Sequence, residues 1–174
     1  MSILDAIKNR RSVREFKDQD IPESAIDVLI EAIRWAPSAG NLQSRQFYFV
    51  FNEAIRNKLA QTGLRHDFVS FIVRAPLVVV GCADLRIAPR YKERGTDLYC
   101  IQDTAVSVQN LMLAAQDLGL GTCWVGAFKE EEVKKILEMP DYLRPVVLVP
   151  VGYPAKTSKA PDRRPKADCV TLLP

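Results

Sequence analysis

One histidine, His66, stands in the whole chain, and the four cysteines, Cys82, Cys100, Cys123 and Cys169, form no C-x-x-C pair. A zinc site needs clustered imidazoles and thiolates, so no metal is expected. His66, between Arg65 and Asp67, reads as a surface residue, and a Ser-His-Asp arrangement has nothing else to build on. Widely spaced cysteines, mostly in apolar surroundings, read as buried thiols and not as a disulfide framework. Long hydrophobic runs are also missing. The most apolar stretch, Leu77 to Ala83, falls far short of the about 20 residues that span a bilayer. Asp5 and Lys8 interrupt the N-terminus before a signal-peptide core can form. These absences predict a cytoplasmic protein without a membrane partner. Charge of one sign is scarce too, the net value being +3. The basic stretches 10–14 and 156–166 lack the interleaved aromatics that single-strand binding uses, so no nucleic-acid partner is expected. No repeat, low-complexity tract or Walker-type loop is present.

What remains is an ordinary globular balance, 48% hydrophobic and 26% charged over 174 residues, enough for one domain with its own core. The first helix is predicted to open at Ser2, with Asp5 as an imperfect capping box, and to end near Arg11. A second helix starts at Pro22 and Ser24, buries Ile26, Leu29, Ile30 and Ile33 on one face, and stops before Pro37. A buried strand is predicted over Phe47–Phe51, a helix over Glu53–Gln61, and an ambiguous, mostly helical stretch over 67–74. Leu77–Ala83 reads as a strand buried on both faces. Residues 85–97, basic and carrying Pro89 and Gly95, read as an exposed loop or mobile lid. Leu98–Leu118 is the longest helix, with Ile101, Ala105, Val108, Met112 and Ala115 as its apolar stripe. Gly119 and Gly121 end it. A short strand over Thr122–Val125, a charged helix over Glu130–Leu137 and a strand over Pro145–Val151 follow. Strands and helices mix without strict alternation, which predicts an α+β fold with helices packed on one sheet. After Gly152 a polar, basic arm leads to the apolar tail Cys169–Leu173, which needs somewhere to bury itself.

Three segments carry chemistry. Arg10, Arg11, Ser12 and Arg14 form either a solvated helix end or the donor set of a phosphate monoester; a second pair, Arg163 and Arg164, could converge on the same anion. Pro37-Ser38-Ala39-Gly40-Asn41-Leu42-Gln43 is either a plain turn or an uncharged loop whose Asn41 and Gln43, two apart in an extended segment, face a heterocycle. Gly119 to Phe128 is not the dinucleotide fingerprint, since its spacing is G-x-G-x-x-x-x-G and no acidic residue follows at the right distance. It is either a helix cap running into a buried strand with Trp124 in the core, or a backbone that passes close to a flat ring. Phosphate, polar edge and flat ring together describe flavin mononucleotide (FMN).

The order R-R-S-V-R, W-A-P-S-A-G-N-L-Q, Q-N-L-M-L-A-A-Q-D-L-G-L, G-T-C-W-V-G-A-F, P-V-G-Y-P and D-R-R-P resembles the FMN-dependent nitroreductase family over nearly the full length. The resemblance implies an antiparallel or mixed sheet flanked by helices, in an intertwined homodimer with exchanged C-terminal arms and FMN at the subunit interface. It divides the chain into an FMN-binding core, 1–152, and an arm, 153–174, that packs on the partner. By the same resemblance Arg10, Ser12 and Arg14, with Arg11, hold the phosphate and ribityl chain, and Arg163 or Arg164 closes on the phosphate. Pro37, Ser38, Ala39, Asn41 and Gln43 reach the cofactor from the other subunit; Val125, Gly126 and Ala127 border the ring. No side chain is implied as catalytic, because the flavin carries the chemistry. NADH or NADPH is the implied donor, and a nitroaromatic, quinone or similar small molecule the acceptor. Dehalogenation, ene reduction, flavin breakdown or FMN binding without turnover are the alternatives. The chain departs from the family in having Gln43-Ser44-Arg45 where many members read Q-P-W, and Gly126 where the members with the best-known nitro chemistry carry Glu.

Overall fold

A computed structural model describes residues 2–64, 71–86 and 88–173. His66 and the first half of the ambiguous 67–74 stretch, residues 67–70, lie outside them, and 71–74 are helical as expected. Helix α1 spans Ile3–Asn9 and is capped as its sequence predicts: the Ser2 hydroxyl accepts from the Asp5 N–H at 3.1 Å and donates to the Asp5 carboxylate at 2.6 Å. It stops two residues short of Arg11, which frees the basic segment from the helix. Helix α2 (Glu23–Arg34) buries Ala25, Leu29 and Ile33, but Ile30 is partly exposed. Helix α3 (Glu53–Gln61) has the predicted bounds, with Asn52 capping the Ile55 N–H.

Strands β1 (Arg45–Val50), β2 (Leu77–Asp84), β3 (Gly121–Thr122) and β4 (Leu143–Gly152) form one antiparallel sheet in the order β1-β2-β4-β3. The α+β expectation holds. β2 is buried along its whole length, and its period of two divides the core between the faces of the sheet. Val78, Val80 and Cys82 face a cluster with Leu59, Ile72 and Val133. Leu77 and Val79 face the opposite cluster, built from α2 and from helix α4 (Cys100–Asp117) through Leu29, Val108, Leu111 and Met112. The predicted buried strand over Phe47–Phe51 is instead an edge: β1 is mostly half-buried and Phe51 is 51% exposed. An edge strand has a neighbour on one side only, so its aromatics are covered only in part.

Two further expectations are corrected. Residues 88–99 are a series of helical turns leading into α4, not a loop: Ala88–Tyr91, Lys92–Arg94 and a wide π-type turn, Gly95–Tyr99. The Tyr91 and Tyr99 rings pack edge to face at 5.3 Å, and the Arg94 Nε donates to the Tyr99 hydroxyl at 2.8 Å. On α4, Ile101 and Ala105 are half-exposed, whereas Asp103, Thr104 and Ser107 are buried. Thr104 and Ser107 return their hydroxyls to the helix carbonyls of Cys100 and Asp103, the usual way a small polar residue is buried on a helix. Gly119, at φ +73°, ends α4 in the left-handed conformation that glycine adopts cheaply. Helix α5 (Glu130–Ile136) follows. Residues 155–173 are exposed throughout, and no helix among the described residues is long and apolar enough to cross a membrane.

Candidate functional site

The basic segment leaves α1 and runs alongside β3. Ser12 bridges Thr122 in parallel, and the Val13 N–H donates to the Thr122 carbonyl at 2.9 Å. Gly121 permits this approach, since a Cβ there would come within 2.6 Å of the Val13 side chain. Gly121→Ala is therefore expected to destabilise the protein by about 1–3 kcal/mol through overpacking against a buried, branched side chain. Chemical denaturation should show a lower midpoint at unchanged slope.

This junction unites the first and third segments. Cys123, next along the chain from β3, is 2% exposed. Burial pushes its thiol pKa up, while the Arg14 charge, the Ser12 hydroxyl and the Arg10 charge oppose the shift. The same three groups thus act on one thiol at the sheet edge. Arg14 lies over the Phe71 ring at 5.9 Å. Ser12, Arg14, Glu15, Lys156 and Ser158 line a cleft of about 270 Å³. Lys156 and Ser158, at the root of the arm, are members that sequence reasoning missed. The arm is tied there by the Ala155 N–H, which donates to the Glu15 carbonyl at 2.8 Å. Arg11 turns away, donating to the Lys8 and Arg10 carbonyls at 2.7 Å. Arg163 and Arg164 do not join the cleft within one chain: Arg163 bonds the Pro161 and Asp162 carbonyls, and Arg164 the Asp168 carbonyl.

Beyond β3 the strand breaks. Val125 pairs with Leu148 through two 2.9 Å bonds, and Gly126 is exposed. The predicted continuous strand over Thr122–Val125 is thus two short pieces. Trp124 is 39% exposed and not a core residue. A Cβ on Gly126 would meet only Trp124, at 3.5 Å, and the Gly126 N–H has no acceptor among the described residues. A flat ring can approach this backbone.

The uncharged loop lies elsewhere. Ala39–Asn41 is a 3-10 turn, not an extended segment, with Gly40, Asn41 and Gln43 all at positive φ near +55°. Asn41 and Gln43 nevertheless share one cleft of about 310 Å³, with Trp35 and Pro37. The Arg45 guanidinium holds the loop to the end of α2, donating to the carbonyls of Pro37, Ala36, Arg34 and Ile33. Burial lowers the Arg45 pKa and the Asp103 charge partly restores it. The Ser38 hydroxyl accepts from the Gln43 N–H at 3.0 Å. A Cβ on Gly40 would fall 2.4 Å from the Tyr91 hydroxyl, so the turns that precede α4 rest on this loop.

The two regions are far apart in one chain. The loop feeds Arg45, whose ladder partners are Ala83 and then Arg144, whereas Ser12 neighbours Thr122, which pairs with Val151. Arg144 and Val151 are about 23 Å apart along β4, and β1 is about 19 Å across the sheet from Ser12.

On this α+β fold an arginine and hydroxyl cluster thus stands beside an open glycine backbone. The comparisons make the class specific. The nitroreductase family model matches residues 7–153, and the chain belongs to that family of oxidoreductases. It is 31% identical to a putative NADH dehydrogenase/NAD(P)H nitroreductase of Methanothermobacter thermautotrophicus, covering 93% of this chain and 82% of that one. It is 28% identical to the FMN reductase (NADPH) of Bacillus subtilis, covering 94% and 70%. A solved structure of a putative NADH dehydrogenase/NAD(P)H nitroreductase from Parabacteroides distasonis superposes with a TM-score of 0.84 at 28% identity, covering 98% of this chain and 96% of that one.

Proposed function

We propose that the protein is a cytoplasmic, homodimeric FMN-dependent oxidoreductase that takes hydride from NADH or NADPH and passes it to a small acceptor in a ping-pong cycle. The observation that carries this reading is the cleft that Ser12 and Arg14 line at the edge of β3, beside the open Gly126 backbone, with the Arg10 charge acting on the adjoining Cys123. The donor set fits the cofactor. Arginine and serine offer charged and neutral N–H and O–H groups to phosphate oxygens, and the exposed Gly126 N–H offers a donor to a ring edge. When bound, FMN supplies the hydride-accepting chemistry.

The chain's own residues bind and orient. Arg10 and Arg14 neutralise the phosphate and the Ser12 hydroxyl donates to it, aided by whichever of Arg163 and Arg164 arrives on the arm; Arg11, turned onto the Lys8 and Arg10 carbonyls, takes no part in this arrangement. Val125, Gly126 and Ala127 border the ring, and the Gly126 N–H stabilises negative charge on it. Ser38, Ala39, Asn41 and Gln43 sit at the opposite edge and end of the sheet, too far to reach the same molecule. They serve the site of a second copy. Residues 1–152 are then the core, and the arm 153–174 embraces the partner. Exposed apolar groups on both surfaces support this: Val170, Leu172 and Leu173 are 59%, 86% and 88% exposed, and Ile3, Leu4 and Ile7 of α1 are 79%, 57% and 49% exposed. Between α1, α2 and α4 runs an apolar cleft of about 530 Å³, bounded by Ile3, Val28, Trp35 and Leu113. The partner's tail is its proposed occupant. No carboxylic acid or histidine stands at 124–128, so the chain positions no proton donor there.

Purified protein is expected to be yellow and to release FMN on denaturation. Oxidation of NAD(P)H should be slow alone and fast with a nitroaromatic or quinone. Fast oxidation with another acceptor class (a halogenated aromatic, an activated alkene, or flavin itself) would reassign the substrate. FMN binding without any NAD(P)H oxidation would leave a carrier and refute the enzyme.

A further inference from the structure

Asp103 is 5% exposed on a helix face otherwise packed against the sheet, and both of its oxygens are committed to one loop. Oδ1 accepts from the Ala39 N–H at 3.0 Å, and Oδ2 accepts from the buried Ser44 hydroxyl at 2.7 Å. These contacts grip the first and last residues of the segment that carries Asn41 and Gln43. Between them the backbone holds positive φ at Gly40, Asn41 and Gln43, a conformation that costs non-glycine residues energy and persists only when its surroundings enforce it. Ser38 and Arg45 hold the base of the loop, and among the described residues Asp103 is the side chain that ties its two ends to the central helix.

We propose that Asp103 is the positioning residue of the flavin-reading loop: from α4 it fixes the Ala39–Ser44 backbone so that the Asn41 and Gln43 amides face the ring bound by the partner chain. The proposal rests on the functional reading above. Asp103 itself touches no ligand. Two acceptor atoms in one short side chain satisfy one backbone donor and one hydroxyl at once. Asparagine keeps an acceptor for Ala39 and offers its NH₂ to the Ser44 oxygen, so it preserves the clamp without the charge. Leucine, of similar shape, leaves the half-buried Ala39 N–H and the buried Ser44 hydroxyl without their acceptor.

The test compares wild type, Asp103→Asn, Asp103→Leu and Ser44→Ala. Riboflavin reports the ring and ribityl contacts without the phosphate. Asp103→Leu is expected to weaken riboflavin and FMN equally, by about ten- to a hundred-fold; Ser44→Ala should weaken both by about three- to ten-fold, and Asp103→Asn should stay within about three-fold of wild type. Amide hydrogen exchange over residues 37–44, measured without flavin, should quicken in the same order while β2 stays protected. Variants that merely melt earlier, with unchanged riboflavin affinity and unchanged exchange over 37–44, would overturn the proposal. So would an Asp103→Asn protein as impaired as Asp103→Leu. If Asp103→Leu does not fold, Ser44→Ala decides: wild-type affinity and exchange rule the clamp out. A wild type that binds neither flavin refutes the functional reading, and the exchange rates still judge the clamp.

Discussion

Deleting residues 167–174 is expected to give a colourless monomer or an aggregate. The removed stretch carries Val170, Leu172 and Leu173, all exposed on the single chain. Each contributes about 1.5–3 kcal/mol when fully buried, so each exchanged tail adds several kcal/mol and two tails about twice as much to one interface. An intertwined interface of this kind buries more than about 2,000 Å² in total. Its loss uncovers the apolar cleft between α1, α2 and α4 and the exposed face of α1. FMN is expected to be lost in the same step, because on the proposed reading the loop at 37–43 serves a neighbouring chain's site. Size-exclusion chromatography with detection at a flavin absorption wavelength reads both outcomes together. A truncated protein that stays dimeric and yellow would defeat the arm exchange.

Arg14→Ala is expected to weaken FMN by about ten- to a hundred-fold and riboflavin hardly at all. One charge-assisted hydrogen bond to phosphate is worth ~1.5–3 kcal/mol, which sets that range. Arg14 lines the cleft beside Ser12 and Lys156, and no ion pair among the described residues competes for its charge. Fluorescence titration with the two flavins separates the phosphate contribution from folding. Equal losses for FMN and riboflavin would assign Arg14 to packing on Phe71 instead, where its guanidinium lies 5.9 Å from the ring.

Much of this fold was legible in the chain because its signals are local. The helix over Glu53–Gln61 is announced by Asn52 and bounded by polar residues, and the apolar runs 77–83 and 145–151 can only be buried strands. The half-burial of β1 was not legible, since Phe47, Tyr48 and Phe49 look alike in an edge or a central strand. That difference lies in which strands pair, a property of distant sequence. The turns at 88–99 were hidden for a related reason. Pro89, Gly95 and a run of charges read as loop, and only the contacts of Tyr91, Arg94 and Tyr99 order them.

The site divides the same way. Arginines, a serine and clustered glycines name a phosphate cradle and a close backbone by composition alone, and the Ser12–Thr122 bridge brings them together. Asp103 and Arg45 are separated in sequence from the residues they hold or from each other, and neither lies in a motif that marks it. Asp103 lies off the stripe read from the sequence (Ile101, Ala105, Val108, Met112, Ala115), on the face with Ser107 and Leu111 that the structure buries, so the chain gave no sign of it.

The claim that each flavin site is completed by two chains is tested most directly with mixed dimers. Arg14→Ala is defective at the cradle, and the double variant Asn41→Ala, Gln43→Ala is defective at the loop. Co-expressed under different tags and purified as the mixed species, they place both defects in one site and none in the other. The expected result is one FMN bound per dimer with wild-type affinity, although each parent homodimer binds weakly at both sites. Two equally weak sites in the mixed dimer would show that cradle and loop act within a single chain, and would contradict the account.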